Sequence, residues 1–107
     1  MTLKSKHRVK TIKEIKHGLY IRVVLPNNTN TKYIEVVKVK GGSKMDRKLY
    51  NFRKVSVDIY NSQLGTYYYV DDLLGRTNIP GGLFKFSHKI LYEINRLSVQ
   101  ELREILQ

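Results

Sequence analysis

The sequence contains no cysteine, no tryptophan and only two prolines, and it has no long apolar run. Without cysteine the fold cannot be a disulfide scaffold, and thiolate zinc sites and cysteine nucleophiles are excluded. A membrane helix needs about 20 consecutive apolar residues, and no run approaches that length. No apolar run of signal-peptide length follows the basic N-terminus, so we expect a cytoplasmic protein of a bacterial or phage-infected cell, with no membrane partner.

Acidic residues are scarce, because nine Asp and Glu stand against 20 Lys and Arg and leave a net charge of +11. The excess lies in one half of the chain. Residues 1–54 carry 15 Lys/Arg and 3 Asp/Glu, a net +12, whereas residues 55–107 carry 5 and 6, a net −1. This asymmetry favours a surface that meets a polyanion over charge that serves only solubility.

The length of 107 residues and the hydrophobic content of 41% are typical of one folded domain with its own core. We predict a basic flexible arm over residues 1–8 and a single α+β domain over residues 9–107. Alanine is absent while lysine, isoleucine, asparagine and tyrosine are frequent. Their codons lean towards A and T, which suggests a low-GC bacterium, its phages or its plasmids.

The N-terminal half has the residue pattern of a β-hairpin. Residues 19–25 and 32–40 are rich in β-branched residues, and the turn formers of residues 26–31 separate them. Lysines at the end of the second strand are typical of an edge or a binding surface. Before the hairpin, Val9, Ile12, Ile15 and Leu19 recur at three- and four-residue steps, which favours a helix over residues 9–17, with a first strand as the alternative.

Further strands are predicted over residues 49–60 and 66–71, with an irregular connection over residues 75–82. The C-terminus reads as two helices. Ser87 is placed to cap the first, whose apolar stripe runs from Ile90 to Leu97. Ser98 and Glu101 form a capping box for the second. The predicted fold class is α+β, with a small antiparallel sheet or open barrel of four to five strands and a C-terminal helix pair.

A basic hairpin of this kind fits the major groove of a duplex, and a basic arm follows phosphates. Aromatic residues among the basic ones are able to stack on bases, although packing within the sheet is the alternative. The predicted contact residues for nucleic acid or another partner are Arg8, Lys10, Arg22, Lys32, Lys38, Lys40, Lys44, Arg47, Lys48, Arg53, Lys54, Tyr33, Tyr50 and Phe52. The arm and the segment after it add Lys4, Lys6, Lys13 and Lys16.

The residues of common active sites do not occur at useful spacings. The carboxylates Glu35, Asp58, Asp71 and Asp72 are separated in ways that place them on different strand faces, so charge pairing is the better interpretation. The three histidines, at positions 7, 17 and 88, are scattered, and the glycine pairs lack the lysine of a phosphate loop. We therefore predict no catalytic residues, no metal site and no cofactor.

These observations predict a non-enzymatic nucleic-acid-binding accessory or regulatory protein of a phage or other mobile element. One alternative is a protein inhibitor of a nucleoprotein enzyme, such as an anti-CRISPR or other anti-defence protein, that binds the nucleic-acid-loaded or acidic face of its target. A structural protein of the ribosome or another RNA assembly is a third possibility. The apolar stripe of the C-terminal helices leaves a homodimer open.

Overall fold

The structure is a computed structural model that describes residues 3–39, 49–55, 62–75 and 80–106; for residues 49–55, 62–69 and 72 only the backbone is described. The strands are β1 (Arg8–Val9), β2 (Gly18–Val24), β3 (Tyr33–Val39), β4 (Leu49–Val55), β5 (Ser62–Tyr69) and β6 (Gly81–Lys85). The helices are α1 (Val70–Leu73), α2 (His88–Arg96) and α3 (Val99–Leu106), and single 3-10 turns cover Ser5–His7 and Ile12–Glu14.

The strands form one open sheet in the order β1-β6-β2-β3-β4-β5, with every neighbouring pair antiparallel. From β2 to β5 the strands follow chain order, and β6 then returns to lie between β1 and β2. Tyr20 of β2 therefore lies opposite Val37 on one side and Lys85 on the other. The predicted α+β fold, with an antiparallel sheet and a C-terminal helix pair, is confirmed.

One face of the sheet is covered by α2 and α3. Alternate residues of the central strands, such as Ile21, Val23 and Phe84, point to this face because side chains alternate along a strand. We call this the helix-pair core; its buried members are Leu3, Ile21, Val23, Leu25, Phe84, Ile90, Ile94, Val99, Leu102 and Leu106. The stripe predicted from Ile90 to Leu97 packs here, which confirms the apolar face of the first helix.

The opposite face of the sheet is covered by α1 and by the segment that precedes β2. We call this the N-terminal core; its buried members are Val9, Ile15, Tyr20, Val37, Val39, Val70, Leu73, Leu74 and Leu83. Since both faces are covered, the central strands bury residues on both sides. β3 is thus an interior strand between β2 and β4, so of the two predicted interpretations of its lysines, an edge or a binding surface, the edge is excluded.

The ends of α2 and α3 are satisfied by side chains. The Ser87 hydroxyl accepts the Ile90 N–H at 3.1 Å at the start of α2. Ser98 and Glu101 accept each other's backbone N–H, both at 3.1 Å, at the start of α3. Both predicted N-terminal caps are confirmed, because serine oxygens satisfy amides that have no partner within the helix.

Residues 9–17 do not form the predicted α-helix. Val9 belongs to β1, Ile12 lies in a single 3-10 turn, and Ile15 is buried beyond it. Val9, Ile12 and Ile15 nevertheless all meet the N-terminal core, although only Ile12 lies within the 3-10 turn. Gly18 then opens β2 with φ of +149°, a conformation that favours glycine.

The predicted flexible arm is, from Leu3 onwards, packed on the domain. Leu3 is only 2% exposed and lies in the helix-pair core, while the Lys4 N–H donates to Nδ1 of His7 at 3.0 Å. Burial of a leucine of this kind stabilises the native state by about 1.5–3 kcal/mol, which fixes the segment. Residues 3–8 therefore belong to the fold and do not extend from it.

The strand β6 corrects the end of the irregular connection predicted over residues 75–82, because Gly81 and Gly82 belong to the strand; residues 76–79 lie outside the described ranges. Gly81 and Gly82 are buried in its first half, where a Cβ on Gly81 would lie 2.5 Å from the Val23 carbonyl oxygen. The predicted strand over residues 66–71 also ends early, because the chain enters α1 at Val70. The predicted strand over residues 49–60 is described as far as Val55, and its remaining residues lie outside the described ranges.

Arg8 connects the two layers at the β1 edge of the sheet. Its guanidinium donates to the carbonyl of Leu106 at 2.9 Å and to that of Leu74 at 2.5 Å. Leu106 ends α3 in the helix-pair core, and Leu74 follows α1 in the N-terminal core. A cation is favourable at both places because the last carbonyls of a helix lack partners and carry partial negative charge.

Two glycines make room for the Arg8 side chain. Gly75 has φ of +71°, ends α1 in the left-handed conformation, and would carry a Cβ in collision with the guanidinium. A Cβ on Gly82 would lie 2.9 Å from Arg8 Nε and 2.8 Å from Leu106 Cδ2. The arginine and these glycines therefore depend on one another.

Replacing Arg8 by methionine should lower the free energy of unfolding by about 1.5–3 kcal/mol, because hydrogen bonds from a charged donor are lost. Lys6→Met, which removes an exposed cation two residues away, is the matched control, and chemical denaturation measures both variants.

Gly82→Ala should destabilise wild type more than it destabilises Arg8→Ala, in which the new Cβ no longer meets the arginine. Chemical denaturation of wild type, Gly82→Ala, Arg8→Ala and the double variant Arg8→Ala/Gly82→Ala measures this coupling, and additive effects would contradict the contact.

Ile94 lies at the centre of the helix-pair core and is fully buried. Ile94→Ala should cost about 2–5 kcal/mol, because the removed methyl groups leave a cavity that the sheet fills only in part. The matched control is Tyr92→Ala, since Tyr92 is 66% exposed on the same helix. Thermal unfolding followed by circular dichroism tests the pair, and equal melting temperatures would show that α2 is not packed at Ile94.

Candidate functional site

A cleft of about 480 Å³ lies between the N-terminal segment and the end of the sheet at which β2 begins and β6 ends. Its basic lining residues are Lys6, Arg8, Lys13, Lys16 and Lys85, and the others are His7, Val9, Glu14 and Tyr20. Among the described residues, the lining thus has five cationic side chains and one carboxylate. The cleft concentrates on one side of the molecule a charge that the sequence distributes over 80 residues.

Lys13 and Lys16 are held in place by the short segment before β2. Ile15 anchors this segment in the N-terminal core. The hydroxyl of Tyr20 accepts the Lys16 N–H at 2.8 Å and donates to the Lys16 carbonyl at 3.1 Å. Tyr20 is itself only 3% exposed, so its buried ring anchors the segment. The side chains of Lys13 and Lys16 remain exposed.

Lys6 and Lys85 approach the cleft from two other elements. Lys6 lies in the 3-10 turn Ser5–His7, which the His7 N–H closes by donating to the Lys4 carbonyl at 3.0 Å. Lys85 is the exposed last residue of β6 and lies opposite Tyr20 in the register with β2. Three separate parts of the chain therefore place lysines around one opening.

The carboxylate of Glu14 is engaged within its own turn. Its Oε2 atom accepts the Lys10 N–H at 2.9 Å, the Thr11 N–H at 2.8 Å and the Thr11 hydroxyl at 3.1 Å. The N–H groups of Lys10 and Thr11 hold the pKa of Glu14 below its ordinary value of 4.5, because hydrogen bonds to a carboxylate favour its charged form.

The amines that line the cleft are unpaired. Within the part of the chain that the structure describes, none of the side chains of Lys6, Lys13, Lys16 and Lys85 forms an ion pair or a hydrogen bond with protein. Repulsion among neighbouring ammonium groups raises the free energy of the empty cleft, and a bound anion relieves it. The arrangement is thus suited to binding an anion.

Three cations predicted for the interface have internal partners instead. Arg8 donates to two helix carbonyls, and Arg22 pairs with Glu35 at 2.9 Å across β2 and β3. The Lys32 amine donates to the last carbonyls of α2, at 3.0 Å to Ile94, 2.5 Å to Asn95 and 2.6 Å to Leu97. A cation at a helix C-terminus stabilises the helix, so these side chains act within the fold.

The other predicted contact residues are dispersed. Lys10 is exposed in the segment between β1 and β2. Lys38 is also exposed and lies near the cleft end of the sheet, since it is opposite Leu19 near the start of β2. Tyr33 is exposed at the other end of that ladder, opposite Val24. Tyr50, Phe52, Arg53 and Lys54 lie on β4, of which only the backbone is described. Lys40, Lys44, Arg47 and Lys48 lie outside the described residues.

The sequence prediction missed Lys85 and did not group it with the lysines of the arm. Lys85 belongs to β6, a short buried strand that begins with two glycines. Because glycine is disfavoured in strands, the glycine pair did not indicate a strand there. The alternation of Leu83, Phe84, Lys85 and Phe86 after the glycines was the signal available, since residues two apart share a face. Lys13 and Lys16 were noted as basic but placed on a helix.

Among the described side chains, no three histidine or acidic groups come close enough together to hold a metal ion. No helix in the described ranges is long and apolar enough to cross a bilayer. Comparison of the chain with protein-family models, with curated proteins and with solved structures finds no match.

Replacing Glu14 by glutamine should lower the melting temperature at pH 7. Because the folded-state pKa of Glu14 is lowered, its stabilisation is present above the ordinary pKa and is lost as pH falls through the folded value. The difference between wild type and Glu14→Gln should therefore shrink as the pH falls below 4.5. Glu104→Gln on α3, where the carboxylate is also exposed, is the control, and a difference independent of pH would contradict the assignment.

Proposed function

We propose that this protein binds nucleic acid without transforming it, as an accessory or regulatory factor, and that the lysine-lined cleft is a principal contact with phosphate groups. The observation that carries the proposal is the set of four unpaired lysines from three chain segments around one opening. Lysine is a compact cation with rotatable donors, which suits contact with a phosphate backbone that offers charge but little fixed geometry.

Further basic residues lie around this end of the sheet. Lys10 is exposed in the segment beside the cleft, whereas Lys38 is exposed on the opposite face of the sheet, because it pairs with Leu19 and not with Tyr20. β3 ends at Val39, opposite Gly18, and the stretch that follows it in sequence carries four more basic residues, which lie outside the described residues. Lys40, Lys44, Arg47 and Lys48 in that stretch remain predicted contacts of the same surface.

The proposed interface is smaller than the sequence suggested. Arg8, Arg22 and Lys32 are excluded from it, because breaking their internal hydrogen bonds to contact phosphate would cost stability. The charge available to a partner is therefore concentrated in lysines. Most of the binding free energy should then be electrostatic and independent of sequence.

No reaction forms part of the proposal. Glu14 is the one carboxylate among the described residues that line the cleft, and three hydrogen bonds to its Oε2 atom lower its basicity. Origin in a phage or another mobile element, and a cytoplasmic location, are proposed from composition alone.

Binding to fluorescent oligonucleotides should fall steeply with salt. Four phosphate contacts predict a loss of about 150-fold for a duplex and about 50-fold for a single strand between 50 and 200 mM salt, because each contact releases condensed counterions. Lys13→Gln/Lys16→Gln should weaken binding and reduce the slope of log affinity against log salt by about 1.4–1.8. Fluorescence anisotropy titrations measure both quantities.

The matched control is Lys89→Gln, which removes an exposed lysine on α2, on the opposite side of the sheet. It should leave both affinity and slope unchanged. Arg103 is unsuitable, because its guanidinium donates to the carbonyls of Pro26 at 2.8 Å and Thr29 at 3.0 Å. Equal losses in the lysine pair and in Lys89→Gln would show that the cleft is not the contact.

The alternative, an inhibitor of a nucleoprotein enzyme, gives a different result in the same assay. Such a protein would bind naked oligonucleotides poorly and a protein complex tightly. Capture from a host lysate with and without nuclease treatment separates the two, because a complex held by protein contacts survives the nuclease.

A further inference from the structure

The cleft is a half-open depression, and its lining carries more charge than one backbone phosphate. A duplex presents its charges on a convex surface, at about one per 1.7 Å of helix axis, so it would meet the lysines at the opening without filling a cleft of about 480 Å³. Clefts of about 300–1,000 Å³ instead match ligands of small-molecule size. A single terminal nucleotide, or a free one, fits this class.

The charge of the lining favours a multiply charged group. Lys6, Lys13, Lys16 and Lys85 surround the cleft, and their four positive charges outnumber the single negative charge that Glu14 contributes. A phosphodiester carries one negative charge, whereas a phosphomonoester carries about 1.5–2 at neutral pH and has three acceptor oxygens. Four amines are therefore better matched by a phosphomonoester.

In its described part, the cleft lacks an exposed tyrosine or phenylalanine on which a base could stack. Two rings lie among the described residues of the lining: Tyr20 is buried with its hydroxyl bound to the Lys16 backbone, and His7 is half-buried with its Nδ1 atom accepting the Lys4 N–H. Strand-binding proteins that hold bases place exposed rings beside their basic groove. The exposed Tyr33 lies at the far end of the β2–β3 ladder. Recognition in the cleft is thus directed at phosphate.

Arg8, the one arginine among the described residues of the lining, does not supply a planar clamp. The Arg8 guanidinium is held by the carbonyls of Leu74 and Leu106, so its charge contributes to the cleft while its donors serve the fold. The lysines remain as rotatable point charges, which accommodate the tetrahedral terminal group without fixing its orientation.

We propose that the cleft binds a phosphomonoester, either the terminal phosphate of a nucleic-acid strand or the same group on a free nucleotide. This inference rests on the proposed function where the source is a strand end, and it extends that function from phosphate contact in general to recognition of an end.

The test compares one single-stranded oligonucleotide in three forms: with a 5′-phosphate, with a 3′-phosphate, and with hydroxyl groups at both ends. Anisotropy is measured in 150 mM chloride without phosphate buffer, where diffuse attraction beyond about 8 Å is screened. At least one phosphorylated form should bind about tenfold or more tightly than the hydroxyl form, through added charge-assisted hydrogen bonds. Nucleoside monophosphate, pyrophosphate and inorganic phosphate are titrated as competitors.

Two double variants assign the effect to the cleft. Lys13→Gln/Lys16→Gln and Lys6→Gln/Lys85→Gln remove exposed lysines from different elements, so a folding defect in one does not affect the other. Each should abolish the preference for the phosphorylated strand, whereas Lys89→Gln should retain it. Competition by nucleoside monophosphate at a concentration similar to that of the phosphorylated strand identifies the free nucleotide as the source, and weak competition identifies the strand end.

Equal affinity for the phosphorylated and hydroxyl strands would overturn this inference and leave the proposed function standing. Binding of the nucleotide through the same lysines, with no strand bound, would support the inference and contradict the proposed function. Failure of every strand and every small phosphate to bind would contradict both.

Discussion

The guanidinium of Arg8 joins two helix ends that lie on opposite faces of the sheet. It reaches both because β1 is the edge strand, so that a long side chain leaving it passes between the carbonyl of Leu106 on one face and that of Leu74 on the other. The passage exists only because Gly75 and Gly82 lack side chains. This contact fixes the N-terminal segment to the sheet, and the cleft is formed between the two.

The positive charge of the chain serves two purposes that composition does not separate. Arg8, Lys32 and Arg103 donate to backbone carbonyls at helix ends and in the β2–β3 turn, where a cation is stabilised by unpaired acceptors. The lysines of the cleft have no such partners among the described residues. The cations that donate to carbonyls stabilise the fold. The lysines of the cleft repel one another and are available to an external anion.

Local signals predicted the C-terminal half well. Ser87, Ser98 and Glu101 act within three residues of their partners, and a helix stripe depends on spacing alone, so both are readable from sequence. The β2–β3 hairpin was predicted for the same reason. β6 was not, because its pairing with β2 joins residues about 60 positions apart, and its glycines are required by contacts with Val23, Arg8 and Leu106 that no local pattern reveals.

The sequence predicted that the site would be basic, but it did not predict which basic residues form it. The +12 of residues 1–54 indicated a basic surface, whereas the choice among its cations depended on tertiary contacts such as those of Arg8 and Lys32. Val9, Ile12 and Ile15 meet the N-terminal core from a strand, a 3-10 turn and the residue after that turn, and their spacing alone did not distinguish this arrangement from the predicted α-helix. That turn is what brings Lys13 and Lys16 to the cleft.

The most direct test of the account is the rate at which each lysine is acetylated, measured by mass spectrometry with and without a saturating oligonucleotide. Lys6, Lys13, Lys16 and Lys85 should react readily in the free protein and slowly in the complex. Lys89 should react at the same rate in both states, and Lys32 should react slowly in both, because three carbonyls hold its amine. Protection spread evenly over all lysines, or strongest at Lys89, would contradict the assignment of the cleft as the contact with nucleic acid.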